Sequence, residues 1–301
     1  MISKPICVAP TGDRAGEGAV WHARHAALYW ADINRFLIHR FTPEDRSVQT
    51  WFFNEPVTAL VLTDRDETLA VVLGSRVVLW QPRSDWRGEH SFHLDGWPRV
   101  RLNDARADPR GALWVGSMRN NVNADGSERK AGGRDGVLYR IDLDGQVTIF
   151  RRDIGISNTL AWSPDGRRFY FGDTLANIVW VYDVDPTTGS IGNERPFLKG
   201  FSRGLPDGST VDAMGYLWNC RFYGSCIVRV APDGEIDRVI EMPVGNITTC
   251  TFGDADRKTL YVTTASCDAS PGDRLAGGLF ALRSEVAGLP ENRFRLFNEK
   301  S

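Results

Sequence analysis

Cysteine is scarce in this chain and shows no pairing pattern. Cys7, Cys220, Cys226, Cys250 and Cys267 are five thiols in 301 residues, with no Cys-x-x-Cys spacing among them. An odd count without that spacing argues against a disulfide framework and a thiolate zinc cluster, and reads as reduced, buried thiols of a cytoplasmic protein. All five histidines, His22, His25, His39, His90 and His93, lie in the first third, so no histidine is available to chemistry placed later in the chain. No apolar run approaches the roughly 18 residues of a membrane span, and the apolar stretch near the N-terminus is too short for a signal peptide. The net charge is only −2, which provides no global field for nucleic acid or for an anionic membrane. A long apolar pattern of period 3.6 is also missing, so helices should be few. The pair Gly132-Gly133 is followed by no Lys-Ser/Thr and is no phosphate loop, and Gly204 to Ser209 lacks a nucleophile elbow around its serine.

What the chain has is a repeat. A turn rich in Asp, Gly or Pro is followed by a short aromatic and β-branched run, a polar break and a second such run. The first runs begin at Leu28, Leu69, Leu113, Phe169, Leu217 and Leu260, in steps of 41, 44, 56, 48 and 43 residues. Their residue types fit a pleated, half-buried surface, and turns such as Asp108-Pro109-Arg110-Gly111 and Ser163-Pro164-Asp165-Gly166 re-aim the chain between them. Six copies of about fifty residues match the size of a four-stranded propeller blade. The expectation is an all-β protein, a six-bladed β-propeller with four-stranded blades, forming a single domain over residues 1–301. Ile6 to Ala9 and Phe294 to Phe297 are expected to help close the ring. Trp30, Trp114, Trp162 and Trp218 sit inside strand runs and read as core. The longest gap holds the polar, Gly-rich segment from Asn120 to Asp135, which reads as a loop over the mouth of a pocket.

In a propeller the innermost strands converge on the axis, so chemistry is sought in the polar residues just ahead of them. Glu17 precedes Val20-Trp21, Asn103-Asp104 precedes Ala105, Asn158 precedes Leu160-Ala161-Trp162, and Asp207 precedes Thr210-Val211. Glu17, Asn158 and Asp207 would supply two carboxylates and one amide oxygen. An oxygen-only set suits a hard divalent cation such as calcium, magnesium or manganese; zinc would lack its usual His or Cys ligands. Taken singly, each residue is as readily a turn residue, a backbone partner or part of a Pro-Asp-Gly turn. Only their recurrence at one point of different blades points to a site.

The chain resembles the gluconolactonase and regucalcin (senescence marker protein) family nearly end to end. The likeness is carried by Gly16-Glu17-Gly18-Ala19-Val20-Trp21, Leu102-Asn103-Asp104, Gly116-Ser117-Met118, Gly155-Ile156-Ser157-Asn158, Phe171-Gly172-Asp173-Thr174 and Leu205-Pro206-Asp207-Gly208. The resemblance implies a six-bladed propeller that hydrolyses aldonolactones. It implies that Glu17, Asn158 and Asp207 hold one divalent metal ion, calcium first among calcium, magnesium, manganese and zinc. It further implies that Arg101 and Asn103 contact the sugar lactone. Asp207 is the candidate for ligand and general base together. One departure stands out: regucalcin-like members carry a glutamate at the position that Asn121 holds here. An amide both donates and accepts hydrogen bonds, so Asn121 makes the sugar specificity open, including to a lactone with an anionic substituent. The rival readings are a related propeller hydrolase acting on other esters or phosphoesters, which the missing late histidine disfavours, and a non-catalytic metal- or sugar-binding propeller.

Overall fold

The computed structural model describes residues 2–296, and its regular elements are all strands apart from one three-residue 3-10 turn at Ala23–His25. The strand β1 (Ile6–Ala9) is followed by blade one, made of β2 (Gly16–His22), β3 (Ala27–Asp32), β4 (Leu37–Thr42) and β5 (Ser47–Phe52). Blade two is β6 (Val57–Leu62), β7 (Leu69–Leu73), β8 (Arg76–Gln81) and β9 (Trp86–His93). Blade three is β10 (Val100–Ala107), β11 (Leu113–Arg119), β12 (Gly136–Ile141) and β13 (Val147–Ile154). Blade four is β14 (Ser157–Trp162), β15 (Arg168–Asp173), β16 (Ile178–Val184) and β17 (Ile191–Lys199). Blade five is β18 (Leu205–Val211), β19 (Leu217–Phe222), β20 (Cys226–Val230) and β21 (Ile236–Glu241). The sixth sheet takes β22 (Ile247–Gly253), β23 (Thr259–Thr264) and β24 (Leu279–Arg283) from the end of the chain and β1 from its start. Six four-stranded antiparallel sheets thus form a six-bladed propeller, as the repeat count predicts.

Ring closure rests on β1, which pairs with β24 through Ile6 opposite Ala281 and Cys7 opposite Phe280. The C-terminal segment behaves differently from the expected closing strand. Phe294 forms an isolated parallel bridge to Thr63 and belongs to no strand, and Phe297 lies outside the described residues. Instead the segment straps across the ends of the inner strands. The amide of Gly288 donates to the Arg257 carbonyl at 2.8 Å and that of Leu289 to Val211 at 3.3 Å. Phe294 donates to Leu62 at 2.8 Å and Arg295 to Gly111 at 3.0 Å, so four blades are engaged.

The recurrent runs read from the sequence are the second strands of the blades, and their aromatic residues fill the spaces between sheets. Trp30, Trp80, Trp114 and Trp218 are completely buried, and Trp162 nearly so. A buried indole needs an acceptor for its N–H, and the turn before each second strand provides one in two blades by the same geometry. Asp108 accepts the amides of Arg110 at 2.9 Å and Ala112 at 3.0 Å, and the Trp114 indole at 3.0 Å. In blade five Asp212 accepts from Met214 at 2.9 Å, Tyr216 at 3.1 Å and the Trp218 indole at 3.0 Å. The Asp-x-x-Gly-x-Leu-Trp spacing is therefore a device that joins a turn to the core beneath it.

Asp212 also accepts from the Arg229 guanidinium at 2.7 Å while fully buried. Asp212→Ala strips several donors of their acceptor at once and should lower the unfolding free energy by about 3–5 kcal/mol, read as a shift in urea midpoint. His22 and His25 stack with ring centroids 3.7 Å apart, and burial depresses both, His25 to about 4. Because the folded protein prefers the neutral ring, this contribution is complete above the unfolded value of about 6.5 and is lost as pH falls toward 4. His25→Gln should flatten the pH dependence of Tm across that window.

Candidate functional site

All six inner strands, β2, β6, β10, β14, β18 and β22, begin their blades and so run in the same direction about the axis. Each breaks register with its neighbour near its start: between Glu17 and Val20, Val57 and Ala59, Leu102 and Ala105, Asn158 and Leu160, Pro206 and Ser209, and Ile247 and Cys250. A bulge leaves residues unpaired and re-aims their side chains. Here the breaks begin directly after Glu17 and Asn158 and take in Asn103-Asp104 and Asp207, the threshold positions read from sequence.

The same anchor sets the entry of two of these strands. Asp32 accepts the amides of Arg14 at 3.0 Å and Ala15 at 3.2 Å, just ahead of Glu17. Asp173 accepts those of Gly155 at 3.0 Å and Ile156 at 3.2 Å, just ahead of Asn158. The backbone at the bulges is tight. Gly18 has φ +61°, and a Cβ there would stand 2.6 Å from the Ala59 Cα, so only glycine fits beside Glu17. Thr159 adopts φ +52°, a rare conformation for a β-branched residue. Its hydroxyl donates to the Asp207 carbonyl and lies 2.9 Å from the Ser209 hydroxyl.

Side-chain contacts join the site across blades. The Asn158 amide donates to the Thr174 hydroxyl at 2.8 Å, which itself donates to the Pro206 carbonyl at 2.8 Å. That chain orients Asn158, whose Oδ1 accepts from Asn103 Nδ2 at 3.2 Å. Asn103 also donates to the Ser157 carbonyl at 2.9 Å and accepts from Arg101 Nη1 at 2.6 Å. Arg101 reaches Asn121 Oδ1 through Nε at 3.0 Å and Nη2 at 2.8 Å. The segment carrying Asn121 leaves β11 at the end where the inner strands begin. It is fastened to blade one by Asn34 Nδ2 donating to the Gly126 carbonyl at 2.9 Å and by the Arg14–Glu128 ion pair. The expected loop over the mouth is therefore tethered on both sides of the site.

The electrostatics are those of carboxylates crowded together. Burial pushes Glu17 up, and Asp104 pushes it further. Burial raises Asp207 well above the carboxylate range, helped by Glu17 and then Asp104. Asp104 rises to about 6, chiefly through burial, and burial brings Arg101 down to about 10, leaving it a cation at neutral pH. Glu17 and Asp207 are close enough for each carboxyl group to shift the other, Glu17 raising Asp207 and Asp207 lowering Glu17. Asp207 Oδ1 is buried without a hydrogen-bond partner, and burial with mutual repulsion opposes ionising both groups unless a positive charge stands beside them. Buried anions of this kind call for a compensating cation. Among the described residues no group of three or more His, Cys, Asp and Glu is placed to hold a metal ion. The third oxygen here would come from the Asn158 amide, which suits a hard cation.

The sequence places Asn103 and Asp104 together at a strand threshold but assigns a role to Asn103 alone; Asp104 is a third carboxyl group whose pKa is raised with those of Glu17 and Asp207. The Asn-Asp pair at a strand threshold was the available signal. Thr159 and Thr174 were missed as supports, since nothing local marks a threonine that acts across a blade boundary.

Comparison with known proteins places these residues in context. Residues 15–266 match the family model described as SMP-30/Gluconolactonase/LRE-like region. The chain is 36% identical to pentonolactonase XacC of Haloferax volcanii, over 95% of this chain and 96% of the relative. It is 35% identical to the L-arabinolactonase of Azospirillum brasilense, covering 95% and 94%. A solved structure of a calcium-binding protein, regucalcin from Agrobacterium tumefaciens, superposes with a TM-score of 0.89 at 27% identity, covering 98% of both chains. Since no side chain fits beside Glu17, Gly18→Ala should cost about 1–3 kcal/mol and lower Tm in a thermal melt.

Proposed function

This chain belongs to the SMP-30/gluconolactonase/LRE-like family, and we propose that it opens the ring of a sugar lactone to the corresponding aldonic acid. What supports the reading is that Glu17, Asn158 and Asp207 stand at the same level of their inner strands, beside the register breaks, with Glu17 and Asp207 mutually perturbed and Asp207 Oδ1 buried without a donor. These three residues would hold one divalent cation, with calcium the first candidate. Such an ion supplies Lewis acidity toward a carbonyl oxygen and balances the two carboxylates.

The reaction adds water across the lactone C–O bond. Asp207 takes a proton from the attacking water as its hydroxyl adds to the carbonyl carbon, and the ring oxygen leaves as a hydroxyl on receiving that proton. Arg101, fixed by Asn103 and Asn121, is placed to hold ring oxygens or the developing oxyanion. Asn103 orients sugar hydroxyls from its own place between Arg101 and Asn158. Asn121 lets the mouth donate as well as accept, so it takes part in the choice of sugar. The small-molecule substrate requires no nucleic acid and no membrane, and among the described residues no helix is long and apolar enough to cross one.

A pH-stat panel of 1,4- and 1,5-aldonolactones, run with and without chelator, tests the reading. Acid release that chelation abolishes, and that calcium, magnesium, manganese or zinc restores, is the expected outcome. Asp207→Ala should lose turnover by about 10³-fold or more while its melting curve stays cooperative; near wild-type turnover rejects Asp207 as base and ligand.

A further inference from the structure

The reaction as described uses one arginine–asparagine pair, and the chain holds a second. In blade three Arg101 Nη1 donates to Asn103 Oδ1 at 2.6 Å, and Asn103 Nδ2 donates onward to the Ser157 carbonyl at 2.9 Å. In blade five Arg221 Nη1 donates to Asn219 Oδ1 at 3.0 Å. Asn219 and Arg221 stand two apart on β19, so their side chains share a face. Arg221 is 1% exposed, and among the described residues it pairs with no carboxylate. Its Nη2 donates to Asn177 Oδ1 at 2.8 Å and to the carbonyls of Gly204 at 2.7 Å and Phe201 at 3.3 Å. Its Nε donates to the Arg203 carbonyl at 3.0 Å. Burial brings the guanidinium down to about 10, leaving it a cation at neutral pH. A fully buried cation among neutral acceptors opposes stability. What it adds, and an apolar side chain would not, is direction.

That direction ends on Asp207. The ladder between β18 and β19 is broken from Pro206 to Ser209, so Asp207 and Gly208 lie outside it. Side chains hold the backbone there instead. Thr174 donates to the Pro206 carbonyl at 2.8 Å, and Thr159 donates to that of Asp207. Asn219 Nδ2 is a second donor to the Asp207 carbonyl, at 3.3 Å, and lies 2.9 Å from the Ser209 hydroxyl. A guanidinium only donates, so Asn219 must turn its oxygen to Arg221 and its amide hydrogens to Asp207. The same guanidinium takes three carbonyls of the 201–204 segment, which leads into β18. We propose that Arg221 is a positioning residue for Asp207: it aims Asn219 at the Asp207 carbonyl and pins the segment that enters β18. This rests on the reading of Asp207 as cation ligand and base.

The test is a double-mutant cycle on the full chain: Arg221→Met, Asn219→Leu and both together. Turnover of the best lactone, at saturating metal, gives kcat and KM. Hydrogen–deuterium exchange follows the peptide containing Asp207 and Gly208. Each single variant should lower kcat by about ten-fold or more, since a slightly displaced base loses its alignment. KM should stay within about three-fold of wild type, because Arg101 and Asn103 are untouched. The double variant should lie within about three-fold of the worse single one, as expected of residues that act through one another. A merely structural role predicts losses in kcat that multiply, or a wild-type kcat with a lowered Tm. Either result overturns the inference, and so does a KM that rises as far as kcat falls. Where Arg221→Met does not fold, Arg221→Lys takes its place, keeping the charge without the planar fork. A wild-type chain that opens no lactone overturns the proposed function, and exchange then decides this inference alone. Exchange about ten-fold faster in each single variant and within about three-fold of that in the double supports it. Exchange that matches wild type in the single variants, or multiplies in the double, overturns it.

Discussion

Six inner strands that run in one direction and break register at one level are the constraint on which the rest depends. Had the ladders continued unbroken through Glu17, Asn103, Asn158 and Asp207, the side chains of β2, β10, β14 and β18 would alternate regularly between the sheet faces. The bulges suspend that alternation at Glu17, Asn103, Asn158 and Asp207, at one level of blades one, three, four and five. A bulge is held only if its surroundings over-determine it. Gly18 against Ala59, Thr159 at positive φ and the Asp32 and Asp173 anchors provide that restraint.

The energetics separate into two regions. Outside the channel, apolar burial between sheets and the Asp–Trp links of blades three and five stabilise the ring. Inside it, anions are gathered at the expense of stability, since Asp207 keeps a buried oxygen without a donor and burial raises Glu17, Asp104 and Asp207 together. Such a site is costly as a bare protein and favourable once a cation balances it. Family membership and the lactonase relatives fit that logic.

Much of the architecture was legible in the chain itself. Strand-like runs recurring at near-regular steps implied six blades, because a blade is a local unit whose turns, β-branched residues and aromatics lie within about fifty residues. The threshold positions of Glu17, Asn103, Asn158 and Asp207 were legible for the same reason, each being defined by the strand that follows it. Their roles were less so: spacing alone left them open to turn readings, and the family likeness supplied the metal and the lactone.

Ile6 to Ala9 closes the ring as expected, by pairing with a strand more than 270 residues later, whereas the C-terminal segment straps the inner-strand ends where a closing strand was expected. Which partner each terminus takes is decided by the tertiary structure, since it depends on which distant edges remain free once the blades have assembled. The same holds for the part that Thr174 takes across a blade boundary. Sequence determined which residues stand at the head of each inner strand, because that is a matter of local periodicity. Only the closed ring decided which of them face one another, because mutual burial and charge arise between blades and never within one.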